Sequence, residues 1–345
     1  MTLRVLFVAF GDEQTASTRY RILNYLPYLS FETRVDLRKD RHFTEFSKVD
    51  KPAYTTYLLL SALVYDIIYI QKLLLPSRFV TILNRFCKVI YDFDDAIYTS
   101  APWEQTDTSN RTRMLNEMLK AASTVITGSP ILTEYARDYT DNIHTLPTSV
   151  PRDEYTKARL EEHRTDDTVI LGWIGNPENL WYLEQRENVI SELLETYPEV
   201  ELHVVTAGNE QVPFEKRVGK DVFYQEWSLD EELALVSEFD IAIRPLTDDE
   251  WTRGKGGYTS VVQCLAMGVP VVASPVGMLS SIVEDGSNGY CPADDSEWFD
   301  CLSDLIENRK RRERFAESAV ESIEENHFWT DQRAEELRSI LSSPQ

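Results

Sequence analysis

The sequence predicts an α/β protein built from two Rossmann-like, doubly wound domains. Three observations predict it. Leu3-Arg-Val-Leu-Phe-Val-Ala9 is a buried-strand run that ends near Gly11 and leads into a helical stretch, Ser17 to Leu29. Val169-Ile-Leu-Gly-Trp-Ile-Gly175 opens a second strand-loop-helix series. A chain of 345 residues is too long for one ordinary core, so two domains are expected. Alternating short apolar strands and helices is the pattern of a parallel sheet covered on both faces.

In the first half, the Gly11 loop lacks a full Gly-x-Gly-x-x-Gly, which disfavours a dinucleotide site there. Arg19 falls near the start of the following helix, on the expected ligand side, with a plain surface arginine as the alternative. Tyr54 to Leu75 is the most membrane-like stretch, but Asp66, Gln71 and Lys72 interrupt it. It lacks the ~20 continuous apolar residues of a span and reads as a core helix, Thr55 to Val64, then a strand, Ile67 to Gln71. Membrane contact is at most peripheral. Further strands are expected at Val89–Tyr91, Thr124–Ile126 and His144–Leu146, with a helix over Asn110–Ala122. The acid-rich Arg159 to Asp167 reads as an exposed linker. The expected division is 1–160, 161–325, and a C-terminal helix, 326–345, packing back on the first domain.

In the second half, a helix over Glu187–Tyr197 precedes a strand, Glu201–Thr206. Asp221–Tyr224 is a further strand candidate, Asp230–Ser237 a helix, and Asp240-Ile-Ala-Ile-Arg244 a strand. Helices are expected around Ser296–Arg309, Lys310–Asn326 and Asp331–Ser342.

Composition narrows the function classes. Asp and Glu number 58 against 35 Lys and Arg, a net charge of −23. That balance opposes general nucleic-acid binding, which needs a basic footprint, and is repelled by anionic lipid. The excess runs along the whole chain, the pattern of an acid-rich, halophile-like proteome; melting in a KCl series checks this, since stability must rise with salt. Cys87, Cys264, Cys291 and Cys301 form no Cys-x2-Cys pair, and no signal peptide is evident. A reduced cytoplasmic setting is expected, without structural zinc. The five histidines are scattered, and no Ser/His/Asp order is persuasive.

The most informative stretch runs from Trp251 to Gly277. Arg253 to Gly257 is a basic, glycine-rich turn. Tyr258 to Met267 has no breaker and can form about three helical turns. Gly268 can close that helix left-handed, and Val269 to Ala273 is a short β-branched strand. Glycines let an anion approach backbone N–H groups, and Arg253 and Lys255 add full charges, so the turn, with Gly256 and Gly257, is a candidate phosphate cradle. The plainer alternative is a helix start with two solvated cations.

These residues resemble the nucleotide-sugar site of retaining GT-B glycosyltransferases, especially family 4. Leu265-Ala266-Met267-Gly268-Val269-Pro270-Val271-Val272-Ala273 is similar to that family's Ala-Met-Ala-x-Gly-x-Pro-Val-Val-Ala, and Ile282 to Tyr290 resembles its next loop. The likeness is sharp from about Asp240 to Tyr290. It implies a GT-B fold, two Rossmann-like domains facing a cleft, the first for the acceptor and the second for the nucleotide-sugar donor. One departure stands out. Lys255 and Gln263 occupy the two positions of the family's Glu-x7-Glu motif. Gln263 can still hydrogen-bond a ribose. Lys255 reverses a charge and is expected at the diphosphate instead, as in a variant Gly-Lys-x-Gly loop. Gly175 and Arg244 fall at the carboxyl ends of strands of the second half, where open α/β sheets bind ligands, and are donor-site candidates on that ground. The resemblance further implies donor contacts from Val276 and Gly277, and no cofactor or metal beyond the sugar nucleotide.

A second constellation is Val89-Ile-Tyr-Asp-Phe-Asp-Asp-Ala-Ile-Tyr98. Three carboxylates at the end of a buried strand are costly unless paired or exposed in a cleft. An Asp-x-Asp metal site is one reading, and helix capping by Asp95 another. The preferred one puts Asp94 or Asp95 on the acceptor side, orienting a hydroxyl or balancing positive charge at the sugar ring. The expected function is transfer of a sugar from a nucleotide diphosphate to a hydroxyl acceptor in polysaccharide, glycolipid or protein-glycan assembly. Two rivals stay open: a degenerate GT-B binding protein, favoured by loss of both motif glutamates, and a sugar-nucleotide epimerase of the same fold. The donor base, the sugar, the acceptor and the oligomeric state are not legible.

Overall fold

The computed structural model describes residues 2–38, 50–104, 106–159, 167–208, 222–255 and 258–343. Contacts group the chain into two compact units. The first comprises Met1–Ser149, Asp249–Gly257 and Thr330–Gln345; the second comprises Val150–Asp248 and Tyr258–Trp329. The boundaries fall at 149/150 and 329/330 rather than 160/161 and 325/326, and residues 249–257 of the second half group with the first unit. Most of the expected linker, residues 160–166, lies outside the described residues.

The first unit holds a six-stranded sheet of β1 (Arg4–Phe10), β2 (Glu32–Arg38), β3 (Ile67–Gln71), β4 (Lys88–Phe93), β5 (Thr124–Thr127) and β6 (Ile143–Thr145). Its order is β2-β1-β3-β4-β5-β6 and every pairing is parallel. β3 and β4 are buried throughout, which is why their sequences are near-continuous apolar runs. One face packs Leu58, Phe79, Leu83, Leu115 and Met118. The other packs Ile22, Tyr25, Leu29 and, from the helix Thr330–Ser342, Ala334, Leu337, Ile340 and Leu341.

Two features differ from expectation. β2 carried no signal: it is an edge strand, half-exposed, and its Glu, Thr, Arg and Asp leave no apolar run. The helix expected over Ser17–Leu29 breaks at Ile22, with φ −131° and ψ −64°, into an α-helix, Ala16–Arg21, and a 3-10 turn, Leu23–Tyr28. Pro27 explains the break, since it lacks an N–H and its ring clashes with an α-helical carbonyl four residues back.

The second unit holds β7 (Val169–Ile174), β8 (Val200–Thr206), β9 (Val222–Glu226), β10 (Ile241–Arg244), β11 (Val271–Ala273) and β12 (Gly289–Tyr290). Their order is β12-β11-β10-β7-β8-β9, again all parallel. The expected helix after the basic turn spans Thr259–Ala266, and Gly268 follows at φ +75°, a left-handed conformation that a Cβ would disfavour.

In each sheet the chain leaves the first-formed strand in opposite directions. The strand order reverses between β1 and β3 in one and between β7 and β10 in the other. Loops beyond the carboxyl ends of such strands diverge, which makes these two points the places where doubly wound sheets take ligands.

Candidate active site

At the reversal point of the second sheet, Gly175 follows β7 and Arg244 ends β10. A Cβ on Gly175 would lie 3.2 Å from an Arg244 guanidinium nitrogen and 2.9 Å from the Trp173 ring, so glycine makes room for both. That nitrogen of Arg244 donates to the Ile174 carbonyl at 3.3 Å. Nε of Arg244 is buried without a hydrogen-bond partner, and no carboxylate faces the guanidinium among the described residues. Burial pulls its pKa below the ordinary arginine value, with weak upward pushes from Tyr182, Tyr258 and Cys264. A partly buried cation without a counter-ion is less favourable than a paired one, and an arriving anion would relieve it.

The other donor-side candidates distribute around this point and beyond it. The loop after β11 begins beside Arg244, with Ser274 N–H donating to the Arg244 carbonyl at 3.2 Å. Val276 is buried, and Gly277 follows at φ +56°. Gln263 is buried in the helix Thr259–Ala266, and its amide nitrogen donates to Glu232 at 2.7 Å. The second oxygen of Glu232 accepts from the Trp227 indole at 2.7 Å. The Gln263 amide expected at a ribose is thus engaged by a carboxylate that sequence reasoning passed over. The only cue for Glu232 was its place in the first turn of a short helix, which looks like any solvated glutamate.

The basic turn belongs to the first unit. A short helix, Glu250–Arg253, starts in a capping box of Asp249 and Thr252, and Arg253 ends it on the surface. Lys255 is half-buried, its ammonium 5.8 Å from the Trp251 ring centre. Gly256 and Gly257 lie outside the described residues. A Cβ on Gly254 would meet Ala96 at 2.5 Å and the Tyr98 hydroxyl at 3.0 Å, so this glycine lets the turn press against the segment that follows the carboxylates. The two constellations read separately in the sequence are therefore neighbours.

At the reversal point of the first sheet the three carboxylates take different roles. Asp92 is the last-but-one residue of β4 and forms a fully buried, bidentate pair with Arg21. Arg21 also donates to the Leu146 carbonyl. Burial opposes the charge on Arg21, but Asp92 holds its pKa above the ordinary value. Asp94 and Asp95 share a different cation. The Lys72 ammonium lies 2.6 Å from Asp94 Oδ1 and 2.5 Å from Asp95 Oδ2. It also donates to Ser17 Oγ at 2.7 Å, and Ser17 in turn donates to Asp94 Oδ2 at 3.0 Å. Burial alone would depress Lys72, yet the two carboxylates outweigh it and raise its pKa. Lys72 follows β3 at φ +55°, a costly conformation for a side-chain-bearing residue. Arg19, two residues after Ser17, is buried with its guanidinium 4.9 Å from the Tyr20 ring centre. Lys72 registered in the sequence only as an interruption of an apolar stretch; its neighbours there gave no hint of two aspartates more than twenty positions on.

Comparison with known proteins follows the same lines. Residues 168–308 match the family model of glycosyl transferases group 1. No curated protein matches the chain in sequence. Among solved structures, HepE of Anabaena in complex with UDP and glucose superposes with a TM-score of 0.69 at 16% identity, covering 99% of this chain and 100% of that one. A glycosyltransferase of Rickettsia africae gives a TM-score of 0.73 at 14% identity, covering 99% and 100%. WaaG, a glycosyltransferase involved in lipopolysaccharide biosynthesis, gives 0.71 at 12% identity, also covering 99% and 100%.

Proposed function

We propose that this chain, whose fold is similar to GT-B glycosyltransferases and whose residues 168–308 match the glycosyl transferases group 1 model, moves a sugar, with retention of anomeric configuration, from a nucleotide diphosphate to a hydroxyl acceptor. The second unit takes the donor and the first the acceptor. The setting is polysaccharide, glycolipid or protein-glycan assembly, in the cytoplasm or peripherally at the inner membrane face. One observation carries the donor assignment: at the reversal point of the second sheet Arg244 is a partly buried guanidinium, its Nε buried without a hydrogen-bond partner, with no facing carboxylate among the described residues. The leaving diphosphate is the anion that suits it. Gly175 leaves the approach open, and the loop at Val276 and Gly277 lies one backbone hydrogen bond from the Arg244 carbonyl side of the strand end.

Arg253 and Lys255, which group with the first unit, carry no part of this assignment. Gln263 and Glu232 together address the ribose, Glu232 supplying the carboxylate that position 263 lacks. In this reading a guanidinium rather than a metal balances the leaving group. The UDP bound to HepE makes uridine nucleotides the first to test.

Titration with UDP, GDP, ADP and CMP, read by calorimetry, tests the proposal. One diphosphate nucleotide should bind, and Arg244→Ala should weaken it by about 10- to 100-fold, the loss of a charge-assisted contact. Equal affinity in the variant removes the carrying observation. Turnover unchanged in EDTA and an axial-to-axial relation of donor and product anomers, read by NMR coupling, are expected; an inverted anomer ends the retaining assignment.

A further inference from the structure

We propose that the outer face of the helices Asp50–Ala62 and Ser77–Leu83 docks on an anionic phospholipid bilayer. This deepens the peripheral placement in the reading above and is independent of the transfer chemistry. The first observation is a concentration of exposed apolar side chains. Nine large ones are exposed among the described residues, and five of them lie within residues 60–86: Leu60, Leu63, Val64, Ile82 and Phe86. Leu63, Leu60 and Phe86 are 64%, 60% and 56% exposed. Leu58, Ala62, Phe79, Val80 and Leu83 of the same two helices are buried in the core of the first unit. Both helices are therefore already packed on the sheet, and the five exposed residues lie on the side away from it.

The exposed residues converge at one edge of the first sheet. The helix Asp50–Ala62 leads through Leu63 and Val64 into β3, and the helix Ser77–Leu83 leads through Phe86 into β4. β3 and β4 are adjacent and parallel, with Ile67 opposite Lys88. The two segments thus enter the sheet side by side, about 5 Å apart. This edge holds the amino ends of the strands. Lys72, Asp94 and Asp95 follow the other ends.

The second observation is charge, and it selects the occupant. Residues 51–65 and 76–86 contain no Asp or Glu, although 58 of the chain's 345 residues are acidic. Their charged residues are Lys51, Arg78 and Arg85, and both arginines are exposed. Arg34 lies beside Tyr65 and Tyr57, which are half-buried at the margin. Asp50, Asp66 and Glu117 border the face; Asp66 pairs with Arg4, and Glu117 accepts from Ser77. Apolar side chains rimmed by arginines, with tyrosines at the margin, suit a membrane interface. The apolar groups enter the acyl boundary while the guanidiniums reach headgroup phosphates. The net charge of −23 does not oppose this locally, because at 0.1 M salt charges beyond about 10 Å are screened. A second copy of the chain fits the face less well. A two-fold contact sets a patch against itself, which brings cations against cations. Among the described residues no helix is long and apolar enough to cross a membrane, so the contact is with the surface.

Vesicle flotation with the full chain tests this, using phosphatidylcholine alone and an equal mixture with phosphatidylglycerol. The wild type should float with the anionic vesicles, bind neutral ones about 10-fold more weakly, and lose that difference at about 1 M salt. Leu63→Ser/Phe86→Ser should weaken partition into both by about 10-fold or more. Arg78→Gln/Arg85→Gln should weaken binding to anionic vesicles by about 10-fold and leave neutral ones unchanged. The arginine variant removes no apolar contact, so it decides the matter if the serine variant melts early. A wild type that does not float, or a folded double variant that floats as well as wild type, overturns the proposal. A dimer on sizing that Leu63→Ser/Phe86→Ser converts to monomer gives the face to a second copy and overturns it too. UDP titration of the same samples keeps the readings apart. Flotation without UDP binding retains the docking face and removes the uridine donor, and UDP binding without flotation does the reverse.

Discussion

The reversal points of the two sheets differ in how their charges are satisfied. In the first, Arg21 has Asp92 and Lys72 has Asp94 and Asp95. In the second, Arg244 has a backbone carbonyl and, among the described residues, no carboxylate. The same architecture thus carries one set of ions that is complete without a ligand and one that is not. A complete set is a rigid frame. An incomplete one leaves a cation that an anion would satisfy.

Substitutions can break this contrast, and they rank by expected size. Removing one partner of a buried ion pair strands the other, so Arg21→Met or Asp92→Leu should cost about 3–5 kcal/mol in urea unfolding. Arg244→Met should cost nothing or stabilise the unliganded protein, because it removes a stranded charge while keeping the aliphatic stem. If Arg244→Met destabilised as much as Arg21→Met, Arg244 would have a structural partner and the contrast would vanish. Gln263→Ala falls between these two. It leaves Glu232 with the Trp227 indole and should cost about 1–3 kcal/mol, with UDP affinity falling as well if the pair meets the ribose.

The parts of this picture that the sequence made legible are local ones. Apolar runs at Val169–Ile174 and Val89–Tyr91 gave buried parallel strands because such strands are covered on both faces. Gly268 marked a helix end because a left-handed residue there favours glycine. Long-range pairing was not legible. Arg21 and Asp92 are 71 positions apart and Lys72 and Asp95 are 23 apart, and nothing in either neighbourhood specifies the other. The edge strand β2 escaped because one polar, half-exposed strand lacks the apolar run that betrays its neighbours. Residues 249–257 were assigned by their place in the chain, whereas contacts at Gly254 with Ala96 and Tyr98 assign them to the first unit.

That excursion of 249–257, together with the return of the chain at Thr330, means the polypeptide passes between the two units four times, after Ser149, Asp248, Gly257 and Trp329. Neither unit is a cassette. A gene fusion or recombination event that joined residues 1–149 to a foreign partner would strip away the helix carrying Ala334, Leu337 and Ile340 and expose the face it covers. Exchange of specificity within such an architecture has to proceed by point substitution and loop replacement, because no single breakpoint transplants either half intact.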